Sequence, residues 1–234
     1  MRRSLQLVTA ITLLLLLSTM AAGSTTASFE TKQTHIKVIG DVICAESNVA
    51  LTTGRVRIGQ EEYTITNGTF EAQLIPGHYT VILEGPYRQS KQVTLNITPK
   101  TNRVEIALDS VFSAEEIHVL ARITRAEAEG ESFAGKTAVA ATILNRVNSP
   151  RYPNTIEGVV YQKVSGRYQF SPVLDGRINL NPTPNDYKAA YRALAGHDPS
   201  NGATGFYNPA KTSDKWVRSH PVTAKIGQHT FFFC

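Results

Sequence analysis

Three glutamates, Glu127, Glu129 and Glu131, fall within five residues of the stretch "RITRAEAEGESFAGKTAVAATILNR", Arg122 to Arg146. Like charges are crowded there between two segments whose apolar residues recur at helical spacing. Each helical residue advances about 100°, so in an unbroken helix Glu127 shares the inward stripe with Leu120 and Ile123, and Glu129 is turned about 200° away from it, toward solvent. Glu131 would return near Glu127, although Gly130 is expected to end the helix first. A carboxyl at the buried end of a helix is poorly solvated, which raises its pKa and lets it hold a proton near neutral pH as a general acid. The competing reading is structural: a buried glutamate paired with Arg125 or Arg146, or a solvated helix end, since structural ion pairs also perturb carboxylates.

Other chemistries find less support in the sequence. The six histidines form no HExxH pair and no cysteine–histidine spacing suited to zinc, so neither a metal site nor a cofactor is expected. There is no basic run and no recognisable nucleic-acid motif, which disfavours a nucleic-acid partner. From Ser24 to Ser110 the chain holds 8 Lys/Arg against 9 Asp/Glu, and from Val111 to Cys234 it holds 14 against 10. The later part is therefore net basic, which favours an anionic partner through its summed field, though the cations are scattered.

The elements that must position these residues divide near Asp109. Before it, "GRVRIG", "EYTI", "TFEAQL", "HYTVIL", "KQVTLNI" and "NRVEIAL" alternate and are rich in Val, Ile, Thr and Tyr, as strands are. Asn67-Gly68 predicts a two-residue hairpin turn and Pro76-Gly77 another turn. Six or seven such strands imply a small all-β sandwich over residues 30–109. After Asp109 the period becomes helical. Ser113 and Glu116 form a capping box ahead of Ile117, Leu120, Ala121 and Ile123. Further helices are expected at about Ala134 to Val147, Thr155 to Gln162, and Thr183 to Ala195, where Tyr187, Ala190, Tyr191 and Leu194 share a face. The tail, Val222 to Phe233, reads as a hairpin turning at Ile226-Gly227. Residues 112–234 thus read as an α-rich α+β domain.

At the other end, Met1-Arg2-Arg3, an apolar run from Leu5 to Leu17 and the small residues of "STMAAGS" predict an export signal peptide, residues 1–23, cleaved after Ala21 or Gly23. An uncleaved membrane anchor is the alternative. No cysteine stands near the cleavage site, which argues against a lipid anchor. Cys44 and Cys234 are far apart in sequence; two unbridged thiols are the preferred reading and a disulfide the other.

Two resemblances sharpen this. "NGTFEAQLIPGHYTVIL" is similar to a hairpin of carboxypeptidase-regulatory-like or transthyretin-like sandwiches. "LARITRAEAEGESFAGKTAVAATILNRVNSPRYPNTIEGVVYQ", "YQFSPVLDGRINLNP", "AYRALAGHDPSNGATGFYNPAK" and "WVRSHPVTAKIGQHTFF" resemble the catalytic domain of SleB-type cell wall hydrolases, the spore cortex-lytic enzymes, from about Phe112 to Phe233. That resemblance implies a lysozyme-like fold, related to lytic transglycosylases, that cuts the glycan strands of peptidoglycan. The family's acid is the first glutamate of a pattern like "GEARGE", which falls on Glu127, with Ala126 for the usual Gly and Glu129 for the usual Arg. The second change removes a positive charge beside the site.

The resemblance further implies substrate contacts at Gln169 and Ser171 in "QFS" and at Phe206, Tyr207 and Asn208 in "FYN", with Glu131 supporting the helix end or the site wall. Phe206 and Trp216 are candidates for stacking on sugar faces. Asn145-Arg146 is read as fixing local structure, and Asp175 and Asp198 as turn residues. The implied mechanism is a lytic transglycosylase in which Glu127 serves as acid and then base, leaving 1,6-anhydromuramic ends. A hydrolytic muramidase with Asp175 or Asp198 as second carboxylate is the alternative, as is a non-catalytic peptidoglycan-binding or spore-coat protein. The location implied is the cell wall, the spore envelope or the exterior, with glycan strands as partner and any regulatory partner unassigned.

Overall fold

Alternation of apolar and polar residues is the first feature that the computed structural model, which describes residues 34–234, turns into three dimensions. The expected signal peptide lies outside the described residues. Seven strands come first: β1 (Ile36–Cys44), β2 (Thr53–Ile58), β3 (Glu61–Thr66), β4 (Thr69–Leu74), β5 (Gly77–Glu84), β6 (Lys91–Ile97) and β7 (Arg103–Leu108). Asn67 and Gly68 both adopt positive φ, 50° and 87°, the twisted two-residue turn that Asn-Gly favours between antiparallel strands.

The strands pair in the order β6-β5-β2-β3-β4-β1-β7, with β1 and β7 parallel and every other neighbour antiparallel. Two separate sheets were expected; hydrogen bonding instead makes one mixed sheet. The reason is the tight Asn67-Gly68 turn, which forces β3 and β4 to pair at Thr66↔Thr69 and nowhere else. About that narrow join the inward faces come together: Val56, Ile65 and Leu83 from one arm share a buried cluster with Val38, Val42 and Leu108 from the other. Cys44 is buried in this cluster, and both cysteines are free.

The helical part follows as α1 (Ala114–Ala128), α2 (Phe133–Asn148) and α3 (Ile156–Val160), a short pair β8 (Lys163–Val164) and β9 (Arg167–Tyr168), then α4 (Ser171–Asp175) and a 3-10 turn at Arg177–Asn179. Next come α5 (Pro184–Leu194), β10 (Gly205–Tyr207), α6 (Lys215–Arg218) and the terminal hairpin β11 (Val222–Ile226) and β12 (His229–Phe232), which with β10 forms a three-stranded sheet ordered β10-β12-β11. The Ser113/Glu116 capping box starts α1 as expected, and Thr183 with Asp186 forms a second one at α5. Leu120, Ile123, Ile143, Leu144, Ile156 and Leu194 are fully buried where α1, α2, α3 and α5 meet.

Sheet and helices belong to one compact unit, Thr34–Cys234. The Thr52 amide donates to Ala195 O at 2.8 Å, and Ala195 itself packs in the sheet's buried cluster. Arg88, whose side chain has no exposure, donates to Glu46 at 2.7 Å and to Leu194 O at 3.0 Å. Cutting a buried ion pair by removing one partner leaves the other charge poorly solvated, which costs about 3–5 kcal/mol. Arg88→Ala is therefore expected to lower the melting temperature by about 6–12 °C for a chain of this size, taking about 3 kcal/mol as the loss. Calorimetry of the two proteins checks this; an unchanged melting temperature would show that the junction contributes little to stability.

Candidate active site

Glu127 sits in the last turn of α1, where the helix has carried it round onto the face of Leu120 and Ile123. The helix stops at Ala128, Glu129 forms the C-cap, and Ser132 caps α2 by accepting from the Gly135 amide. That sharp turn leaves the Glu127 carboxyl partly buried in a cleft of about 200 Å³, lined also by Arg146, Gln169, Phe170, Ser171 and Phe206. The structure thus gathers Glu127, Gln169, Ser171 and Phe206 from three places in the sequence. Tyr207 and Asn208 alternate away from Phe206 at the end of β10 and line an adjoining depression of about 460 Å³ with Arg218, Lys225, Gln228 and His229. Trp216 is exposed on α6, edge-on to His220 at 4.3 Å.

Burial pushes the Glu127 carboxyl up to about 7, against the opposing charge of Arg177; Asp175 adds to the rise, and Arg146 and Lys211 oppose it. Neither arginine was read from the sequence as part of the site. Arg177 is delivered by a turn: Gly176, at φ 85°, ends α4 and sends the chain back, so that Arg177 Nη1 donates to Ala126 O at 2.7 Å while Nε and Nη2 reach Asp175 Oδ2 at 3.0 and 2.9 Å. The Arg177 bonds hold the Asp175 carboxyl below its ordinary range. Arg146, at the end of α2, lies over the rings of Tyr152 and Phe170 at 5.1 and 5.0 Å and donates Nε to Thr204 O at 2.5 Å. Its Nη1 has no hydrogen-bond partner among the described residues. The alternative pairing of Glu127 with Arg125 does not occur: Arg125 bonds Glu129 at 2.7 Å and approaches Asp186 at 3.9 Å.

Glu131 serves a different purpose from Glu127. Its side chain is only 6% exposed, and both of its oxygens accept from the Gln228 amide at 3.3 Å, in the turn between β11 and β12. Gly227 makes this approach possible, since a Cβ there would stand 1.8 Å from Glu131 Oε2. His229 Nδ1 lies 3.7 Å from Glu131 Oε1, and its ring meets Phe206 edge-on at 5.2 Å. Burial pushes the His229 pKa down, opposed by Glu131. The glutamate thus fastens the terminal hairpin, and through His229 it backs the phenylalanine that walls the cleft. Asp198 is occupied in its own loop, accepting from Ser200 N, Gly202 N and Asn145 Nδ2 at 2.8 to 2.9 Å.

With this geometry in view, comparison with known proteins places the chain. Residues 130–232 match the family described as Cell Wall Hydrolase, a span that begins just after Glu127. The chain is 32% identical over 124 residues to Cell wall hydrolase CwlJ of Oceanobacillus iheyensis, covering 85% of that protein. The chain belongs to the cell wall hydrolase family. It is also 36% identical over 132 residues to the spore cortex-lytic enzyme of Bacillus subtilis, an alignment covering 56% of this chain and 42% of that one. The chain spans less than half the length of that cortex-lytic relative. Among solved structures, the catalytic domain of the germination-specific lytic transglycosylase SleB from Bacillus anthracis is 38% identical, with a TM-score of 0.48, covering 52% of this chain and 97% of the other. The family match, residues 130–232, lies within the helical part, and the seven-stranded sheet precedes it.

Two measurements check the electrostatics of this cell wall hydrolase cleft. Arg177 lowers the proton affinity of Glu127, so Arg177→Gln is expected to raise the apparent pKa of Glu127, read by NMR titration, by about one unit. A fall, or no movement, would show that Arg177 does not face the carboxyl. The second concerns stability. A carboxyl whose folded pKa of about 7 exceeds its model value of 4.5 stabilises the fold fully below that lower value, and the contribution is lost as pH rises through the folded one. Between pH 4.5 and 7 the stability of Glu127→Gln is thus expected to rise relative to the parent, by about 3 kcal/mol at most. Urea unfolding at both pH values measures the difference, and parallel pH profiles would mean that Glu127 is not buried as described.

Proposed function

We propose that this chain is an exported enzyme that cuts the glycan strands of peptidoglycan, in vegetative wall or spore cortex, as a lytic transglycosylase. The observation that carries the reading is a carboxyl raised to about 7 inside a cleft lined by amide, hydroxyl and aromatic side chains, in a member of the cell wall hydrolase family. A group with that proton affinity is held near neutrality in both forms, which suits a residue that must first give a proton and then take one back.

In the proposed reaction the protonated Glu127 donates to the oxygen linking N-acetylmuramic acid to N-acetylglucosamine, and that bond breaks. The resulting carboxylate, in the field of Arg177 and Arg146, then accepts the proton of the muramyl C6 hydroxyl as its oxygen attacks C1 and closes the 1,6-anhydro ring. Proton and electron pairs balance without water. In this reading Gln169 and Ser171, which line the cleft, bond sugar hydroxyl or acetamido groups, and Phe206 stacks on a ring face. The cationic Arg218 and Lys225 in the adjoining depression suit the carboxylates of stem peptides.

One observation favours a second reading, hydrolysis. Asp175 is felt by Glu127 and is held ionised by Arg177, so a carboxylate base stands in the same region. Asp198 is a poorer candidate because its oxygens are already bonded in its own loop.

Glu127→Gln keeps size and hydrogen bonding but has no acid proton, and it is expected to cut strand cleavage by 10⁴-fold or more, since general acid–base catalysis supplies about 10²–10⁴-fold per group and this one acts twice. Glu129→Gln, at an exposed helix cap, should keep most activity. Mass spectrometry of digested purified wall and cortex distinguishes the routes: anhydro ends are lighter by one water than reducing ends. Reducing ends would replace the transglycosylase reading with hydrolysis, and an active Glu127→Gln would remove Glu127 as the acid.

A further inference from the structure

A groove larger than the cleft of Glu127 lies elsewhere on the molecule. It measures about 810 Å³ and opens at the junction of sheet and helices, where the ends of β1 and β7 face the start of α1 and the outer side of α5. His118, Tyr187 and Tyr191 line it as a strip of nearly parallel rings: His118 to Tyr187 is 6.0 Å with planes at 25°, and Tyr187 to Tyr191 is 6.2 Å with planes at 28°. A hydrogen bond between His118 Nδ1 and the Tyr187 hydroxyl fixes the strip across the two helices. All three side chains are partly exposed. Tyr187 and Tyr191 pack against the helical core with Leu194, as helical spacing predicts, and what remains exposed of them lines the groove.

The polar lining decides what can fill it. Two carboxylates border the groove, Glu46 and Asp109. Glu46 is neutralised by the buried Arg88, and Asp109 stands 3.5 Å from Lys91. Neither leaves an unbalanced charge to select an ion, but both keep free acceptor capacity beside ring faces. Ring faces flanked by charge-balanced acceptors complement a neutral ring that is apolar on its faces and hydroxylated at its edge. That is a pyranose.

We infer that this junction groove is a second glycan-binding site, which holds a strand of the wall other than the one being cut. His118 lies nine residues before Glu127 on α1, about 13 Å along the axis and about 180° around it. The groove and the cleft therefore face opposite sides of the helix, and one strand cannot run straight through both. A meshwork supplies neighbouring strands, and gripping one of them holds the enzyme at its substrate between cuts. The inference rests on the peptidoglycan reading proposed above.

Pelleting of the full chain with purified, insoluble peptidoglycan tests it, with Glu127→Gln as the background so that the strands survive. Tyr191→Ala removes one ring, and Ala45→Trp plugs the groove from an exposed rim position that bears no load in the core. Loss of a stacking face in the one and blocking of the groove in the other are each expected to weaken binding about tenfold. Strands stripped of their stem peptides should bind equally well, and the same changes in the active chain should leave cleavage of short soluble glycans unaltered. Unchanged pelleting of the Ala45→Trp variant overturns the proposal, whatever becomes of Tyr191→Ala. Loss of binding to stripped strands with competition by free stem peptides would reassign the groove to peptide and overturn it too. A Glu127→Gln chain that does not pellet at all overturns the peptidoglycan reading itself, and the groove's assignment with it.

Discussion

A buried charge governs the helical part of this molecule. Asp186 has no exposure, and its carboxylate accepts from Lys136 Nζ on α2, with Arg125 Nη1 of α1 at 3.9 Å and the Thr183 amide and hydroxyl on its other oxygen at 2.7 and 2.6 Å. Burial alone would raise its pKa; the bonds from Lys136 and Thr183 outweigh that and hold it below its ordinary value. Taking an ion out of water is so unfavourable that a carboxylate in this position needs each of these partners near its present place. Three helices are thereby tied at one point, and one of the ties is Arg125, two residues before Glu127. Arg125 comes near this point while bonding Glu129, so the end of α1, with Glu127 in its last turn, lies beside the buried aspartate.

Glu127 illustrates the opposite solution. It too is withdrawn from water, but no partner bonds it directly, and its nearest cations are committed elsewhere: Arg177 to Asp175 and Ala126 O, Arg146 to Thr204 O and two aromatic rings. Charges that are close but already bonded moderate the carboxyl without neutralising it. Desolvation and neighbouring partners thus leave the pKa of an aspartate lowered in one place and that of a glutamate raised in another. Glu129 is bonded to Arg125 at the surface. Positive charge beside Glu127 comes from Arg177.

Local signals were legible in the sequence and distant ones were not. The Asn67-Gly68 turn, the Ser113/Glu116 capping box and the helical phase that points Glu127 inward each depend on a handful of adjacent residues, and each is present in the structure. The second capping box was missed because α5 carries Asp at its third position, where the usual pattern has Glu or Gln. Arg177 follows Asp175, which was read as a turn residue; that this turn lies against the end of α1 depends on the packing of α4, which no spacing reveals. Arg146 was read as holding local structure, and it does hold Thr204, but the same guanidinium lines the cleft. The sheet's single hydrogen-bonded ladder was hidden for a simpler reason: strand patterns identify strands and say nothing of which edges meet.

The parallel pairing of β1 with β7 sets an order of assembly. Ile39 lies beside Arg103 and Cys44 beside Leu108, so the first strand of the sheet has no edge partner on that side until nearly all of the sheet's sequence exists. The helical part needs contacts just as distant: Arg146 of α2 bonds Thr204, and the cleft joins Glu127 to Phe206. Contacts of long sequence separation form slowly, so neither part closes from local sequence alone. Closure of the sheet at β7 and closure of the cleft at Phe206 both wait on sequence that arrives late.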